Sequence, residues 1–162
     1  MTVRVLGIDP GTAVTGYGIV EPAHERPGHL VECGVIRTNP RQPLWHRLDA
    51  LYQGVRALIE HHEPTALALE TVFYDKNVRT TVTLGHARGV VLLAAAQAGL
   101  EIAEFPPATI KKNVVGTGGA GKAQVGYMVK HLLNLREAPK PADAADGVAV
   151  ALTYLLTRTN RP

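Results

Sequence analysis

The sequence predicts one α/β domain built on a five-stranded mixed sheet, with three strands in an antiparallel meander and two more running parallel, flanked by helices. Three observations carry this. The chain opens with three apolar runs of strand length separated only by turn signals. Two further short apolar runs follow, each reached through a segment of helical periodicity, and a crossover of that kind returns a strand parallel to the first. At 162 residues the chain is long enough for one domain with a substantial core.

Val3 to Asp9 reads as the first strand, Val14 to Val20 as the second and Leu30 to Thr38 as the third. Pro27-Gly28 lies between the last two and marks a hairpin. Leu44, Leu48, Leu51, Val55, Leu58 and Ile59 then recur at helical spacing, and Pro64 lies beyond their end. Leu67 to Thr71 is the fourth strand. Asn77 to Ala98 is a long helix with Gly99 as its stop signal, apolar nearly all round and so expected to be buried by the sheet, by a second subunit, or by both. Ile102 to Phe105 is the fifth strand, closed by Pro106-Pro107. Thr109 can cap a helical turn reaching Val114, a glycine-rich loop runs from Gly116 to Gly121, and Lys122 to Leu133 is helical. After Pro139 and Pro141 the last helix spans Asp143 to Thr157. The domain is therefore expected to cover 1–157, with 158–162 a loose tail.

Seventeen Lys and Arg face fourteen Asp and Glu, a formal net charge of +3. If four carboxylates converge on metal ions, ten acids remain against the seventeen bases, and the rest of the surface is basic enough to suit a polyanion. No run is long and apolar enough to cross a membrane, and the first residues lack the pattern of a signal peptide, so a cytoplasmic protein is expected. The single cysteine, Cys33, excludes an internal disulfide and a cysteine-rich zinc site, and reads as a small apolar residue of a strand. The seven histidines show no zinc-enzyme spacing.

The chemistry points to four acids. Asp9 closes the first strand and Glu70 the fourth; if those strands are neighbours, the two lie about 5 Å apart at the carboxyl edge of the sheet, where α/β folds place their sites. Asp143 and Asp146 are three apart at the start of the last helix and project from one face, among small residues. Singly, Asp9 before Pro10-Gly11 reads equally as a turn residue, Asp143 as a helix cap and Asp146 as a first-turn acid. Glu70 is less ordinary, because an acid rarely closes a run such as Leu67-Ala68-Leu69. Together the four would repel one another unless cations compensate, and an all-oxygen set suits Mg2+ in a two-metal phosphodiesterase site. Phe73 and Tyr74 follow Glu70 in a segment with Lys76 and Arg79, an aromatic and basic mixture suited to unpaired bases, while Lys111, Lys112 and Lys122 offer phosphate contacts.

Gly7-Ile8-Asp9-Pro10-Gly11 with Thr15-Gly16-Tyr17-Gly18 resembles the opening of the RuvC family of Holliday-junction resolvases. Leu69-Glu70-Thr71-Val72-Phe73, Gly85-His86-Ala87-Arg88-Gly89, Val114-Val115-Gly116-Thr117-Gly118 with Lys122, and Asp143-Ala144-Ala145-Asp146 continue the match in order along nearly the whole chain. The resemblance implies a ribonuclease-H-like fold, a homodimer, and two symmetric magnesium-dependent cuts in a four-way DNA junction, leaving 5′-phosphate and 3′-hydroxyl ends, with Mn2+ able to substitute. It implies that Asp9, Glu70, Asp143 and Asp146 hold two metal ions, that Phe73 stacks on an unpaired junction base, and that Lys111 and Lys122 meet the DNA backbone, Lys122 near the scissile phosphate. It further implies helper proteins of the RuvA and RuvB types. Gly147 stands where the family more often has alanine, and a helical glycine, at a cost of about 1 kcal/mol, is expected to loosen the turn carrying two of the acids.

Gly116 to Ala123 matches seven positions of a phosphate-binding P-loop, but Ala123 lacks the hydroxyl that such a loop directs at magnesium. Three other readings stay open at this point: a ribonuclease-H-like nuclease acting on structured RNA, a junction-binding module without catalysis, and an actin-like phosphotransferase. The last needs two domains around ATP, and this chain holds one.

Overall fold

In a computed structural model the described residues are 2–71 and 76–159. They form β1 (Val5–Asp9), β2 (Val14–Glu21), β3 (His29–Arg37), α1 (Leu44–His62), β4 (Ala66–Glu70), α2 (Val78–Gln97), β5 (Glu101–Phe105), α3 (Pro107–Val115), α4 (Lys122–Leu132) and α5 (Ala142–Thr159). The sheet order is β3-β2-β1-β4-β5. β1, β2 and β3 pair antiparallel, whereas β1–β4 and β4–β5 pair parallel. Ile8 stands beside Leu69, so Asp9 and Glu70 leave the same edge of adjacent strands.

The alternation of side chains along β1 and β4 splits the core in two. Val5, Ala66 and Ala68 face α3, α4 and α5, while Leu6, Ile8, Leu67 and Leu69 face α1 and α2. Both strands are covered on both faces, which explains their continuous apolar composition.

Several boundaries differ from the sequence expectation. α3 begins at Pro107 and not at a Thr109 cap, because proline at the first helical position has its φ already set and has no N–H to satisfy. α5 continues to Thr159, and Arg158, expected in a loose tail, forms an ion pair with Glu101. The helix buried nearly all round is α5, with an unbroken buried run from Gly147 to Leu155. α2 buries only Ala87, Val91, Ala94 and Ala95, and leaves Val82 and Leu93 53% and 51% exposed.

Candidate active site

The site depends on how closely α5 lies on the sheet. A Cβ on Gly16 would fall 1.7 Å from the Asp143 carbonyl oxygen, and a Cβ on Gly147 would fall 2.5 Å from the Tyr17 Cα. Backbone therefore meets backbone where the first two turns of α5 cross β2. Gly147 is thus a clearance for close packing in this chain: a Cβ there would meet the Tyr17 backbone, so either the turn bearing Asp143 and Asp146 or the facing strand would have to shift. The signal available in the sequence was the glycine pattern of the strands, since Gly7 and Gly18 are cross-strand partners and Gly16 lies two residues before Gly18.

This docking gathers the acids. One carboxylate oxygen each from Asp9, Asp143 and Asp146 lie within 4.8 Å of one another. Glu70, at the end of β4, falls outside that trio but stands close enough to Asp9 to raise its pKa. Asp9, Glu70 and Asp146 line a cavity of about 190 Å³ together with Lys111 and Lys122, and its apolar wall is Pro107, Ile110, Val125 and Ala149. Those four apolar residues were not singled out by sequence, because nothing in the periodicity of α3 and α4 distinguishes a cleft wall from ordinary core.

The electrostatics are those of like charges held together. Burial, then the hydrogen bond and charge of Glu70, raise the Asp9 pKa from 3.8 to about 8, against the opposing pull of Lys122. Burial and the charge of Asp9 raise Asp146 to about 6. Lys122, the first residue of α4, places its Nζ 3.8 Å from Asp143 Oδ1 and 3.6 Å from Asp146 Oδ2. That side chain is 70% exposed, so the ion pairs contribute little to stability and the ammonium is free to turn elsewhere. An all-oxygen donor set in which burial and neighbouring charge raise Asp9 and Asp146 fits a hard divalent cation.

Of the remaining predicted residues that are described, Lys111 lines the cavity and the others do not. Lys111 is half-buried in its wall, and Lys112 is exposed beside it on α3. Lys76 and Arg79 are exposed at the start of α2. Phe73 and Tyr74 lie outside the described residues. The glycine-rich loop follows α3 and not a strand, so the strand–loop–helix setting of a P-loop is missing. Its last residue, Gly121, donates its N–H to Gln124 Oε1 at 2.9 Å, which starts α4 and orients Lys122.

A mixed five-stranded sheet of this order, with an acidic cluster at its parallel edge, is the ribonuclease-H-like architecture. The family described as "Crossover junction endodeoxyribonuclease RuvC" matches residues 5–154. A protein of that description from Pelotomaculum thermopropionicum is 53% identical over 150 residues, covering 93% of this chain and 91% of the relative. Another, from Halorhodospira halophila, is 50% identical over 151 residues, covering 93% and 89%. The solved structure of Thermus thermophilus RuvC in complex with a Holliday junction substrate superposes with a TM-score of 0.90 at 33% identity, covering 96% of this chain and 94% of the other. The yeast mitochondrial Holliday junction resolvase Ydc2 shares the fold at 16% identity and a TM-score of 0.68. The chain belongs to the RuvC family, a family of metal-dependent nucleases.

Proposed function

We propose that this chain resolves four-way DNA junctions by metal-dependent phosphodiester hydrolysis, acting as a homodimer that makes paired, symmetric cuts. The observation that carries the reading is the convergence of Asp9, Asp143 and Asp146 within 4.8 Å, in a chain of this family.

Asp9, Glu70, Asp143 and Asp146 would hold two Mg2+ ions, with Mn2+ a workable substitute. Bound there, the ions supply the positive charge that the attacking and leaving oxygens of a phosphodiester require. The chain's own residues prepare that charge. Burial and the neighbouring Glu70 raise the Asp9 pKa, so Asp9 would have to give up a proton to serve as a metal ligand. Once the charge of Asp143 and Asp146 is neutralised, Lys122, held to them only by exposed ion pairs, would turn toward the substrate phosphate. Lys111 in the cleft wall, with Lys112, Lys76 and Arg79 around the rim, meets the DNA backbone. Phe73, with Tyr74 beside it, stacks on an unpaired base at the exchange point. The products carry 5′-phosphate and 3′-hydroxyl ends.

The homodimer is supported by the apolar face of α2 that the chain itself leaves uncovered, where Val78, Val82 and Leu93 are exposed. A two-fold dimer presents two sites to a substrate of the same symmetry. The nuclease domain would extend to Thr159, where α5 ends. Partners of the RuvA and RuvB types would deliver the junction in the cytoplasm, which is compatible with the absence of a membrane-spanning helix among the described residues.

The test is cleavage of a synthetic mobile four-way junction beside plain duplex and an RNA–DNA hybrid, with magnesium, manganese or chelator. Paired, ligatable, metal-dependent cuts confined to the junction are expected. Cutting of the hybrid alone would overturn the substrate, and binding without cleavage under every metal would leave only a junction-binding module.

A further inference from the structure

Among the described residues, some cations of this chain are ion-paired and others are not. Away from the cleft, Arg4 is paired with Glu21 and Arg158 with Glu101. At the cleft edge, Arg37, Arg41, Lys76, Arg79, Lys111 and Lys112 form no ion pair with any described residue. Four of these six belong to the DNA surface already described. Arg37 and Arg41 do not. They lie in segment 37–47, which carries three arginines and His46 and no acid.

Within that segment stands Trp45, the one tryptophan of the chain, 70% exposed at the start of α1, with its ring centroid 6.1 Å from that of His46. The segment is anchored beside the catalytic strand. The Thr38 N–H donates to the Ala13 carbonyl at 2.9 Å, and the Arg47 guanidinium donates to the Thr12 carbonyl. Thr12 is three residues past Asp9, so it lies within about 10 Å of it along the chain. That distance is about three nucleotides of one DNA strand at about 3.4 Å each. Lys111 and Lys122 approach Asp9 from the α5 face of the sheet, whereas α1 packs on the other face. A strand that crossed the cleft from the α5 face to the α1 face would leave it on the side of segment 37–47.

We propose that Arg37, Arg41, Trp45 and His46 form a second DNA-gripping surface, which holds the junction arm as it leaves the cleft on the α1 side. The arginines meet phosphates, and the indole lies against a base or sugar of the same strand. The proposal rests on the nuclease reading above. Its own support is charge: a protein-docking indole is normally set among apolar neighbours, whereas this one is set among unpaired cations, and the complement of unpaired cations with an aromatic is nucleic acid.

Because Trp45 is the sole tryptophan, its fluorescence reports directly on the patch. The full-length protein is titrated, in chelator, with a synthetic four-way junction carrying a fluorescent label. Tryptophan emission, acrylamide quenching and label anisotropy are followed together. The expected result is quenched emission and reduced acrylamide access, both with the midpoint of the anisotropy change. Trp45→Ala, an exposed substitution that leaves the fold intact, should weaken junction binding at least about fivefold, the low end for one aromatic contact. Arg37→Ala with Arg41→Ala should reduce the slope of log K against log salt by about 1.8, for two phosphates at about 0.9 each. Binding by anisotropy with unchanged tryptophan emission and access, or variants that bind as the wild type does, would overturn the proposal while leaving the junction reading intact. No anisotropy change at all would remove the junction reading, and this proposal with it. Emission that responds to protein dilution but not to DNA would make the patch a self-association surface and would also overturn the proposal.

Discussion

Replacing Asp9 with asparagine should abolish cleavage and yet stabilise the metal-free protein. The Asp9 pKa stands at about 8 in the fold against an ordinary 3.8. Across that window the folded state keeps a proton that the unfolded chain has lost, so stability falls as pH rises through it. At pH 7 the deficit is at most about 4 kcal/mol, from about 1.4 kcal/mol for each pH interval above 3.8. Residual solvent access and the shared charge of Glu70 reduce this to about 2 kcal/mol. Asparagine keeps the shape and donates to Glu70 as the neutral acid does, but never has to ionise. The melting temperature of Asp9→Asn in chelator should therefore exceed that of the wild type by about 4–8 °C at pH 7. The gap should shrink toward pH 4 and level off above pH 8, where the folded wild type has also lost the proton. Magnesium should reverse the order, because it stabilises only the protein that binds it. Thermal unfolding at several pH values, with and without magnesium, decides the matter. A variant less stable than the wild type at pH 7 in chelator, or a gap that ignores pH, would refute the view that Asp9 is held against its like-charged neighbours.

Four further outcomes are expected. Glu70→Gln and Asp146→Asn should each lose metal-dependent cleavage while retaining junction binding in a mobility-shift assay; full activity in either would remove that residue from the site. Lys122→Ala should slow single-turnover cleavage about 100-fold, as for loss of one charge-stabilising donor, with a much smaller change in Kd. Equal losses in rate and affinity would reduce Lys122 to a phosphate anchor. Gly147→Val must push a side chain into the Tyr17 backbone, so it should cost about 1–3 kcal/mol in urea unfolding and weaken magnesium binding by calorimetry. A variant with unchanged magnesium affinity would show that the acids do not depend on this close approach. Junction binding should fall steeply with added salt, and a flat response would contradict the basic rim around the cleft.

The order of elements and the pairing of the sheet were legible in the sequence, because apolar periodicity and turn residues are local signals that survive without tertiary information. Asp9 and Glu70 could be assigned to one edge for the same reason: each closes a strand, and a crossover connection makes those strands parallel. Asp143 and Asp146 were read from their spacing at the start of the last helix, and the resemblance to the RuvC family, carried by an ordered set of short motifs, implied the roles of all four acids. Three things were decided only in three dimensions. Gly147 read as a weak helix residue until its missing Cβ proved to be the clearance against Tyr17, since propensity describes an isolated helix and not the surface beneath it. α5, and not α2, is the helix that the chain itself buries nearly all round, because α5 lies across β1 and β2 while one face of α2 is left uncovered. The upward shifts of Asp9 and Asp146 arise from burial and from like charges brought together by packing, and neither cause is present in a linear chain.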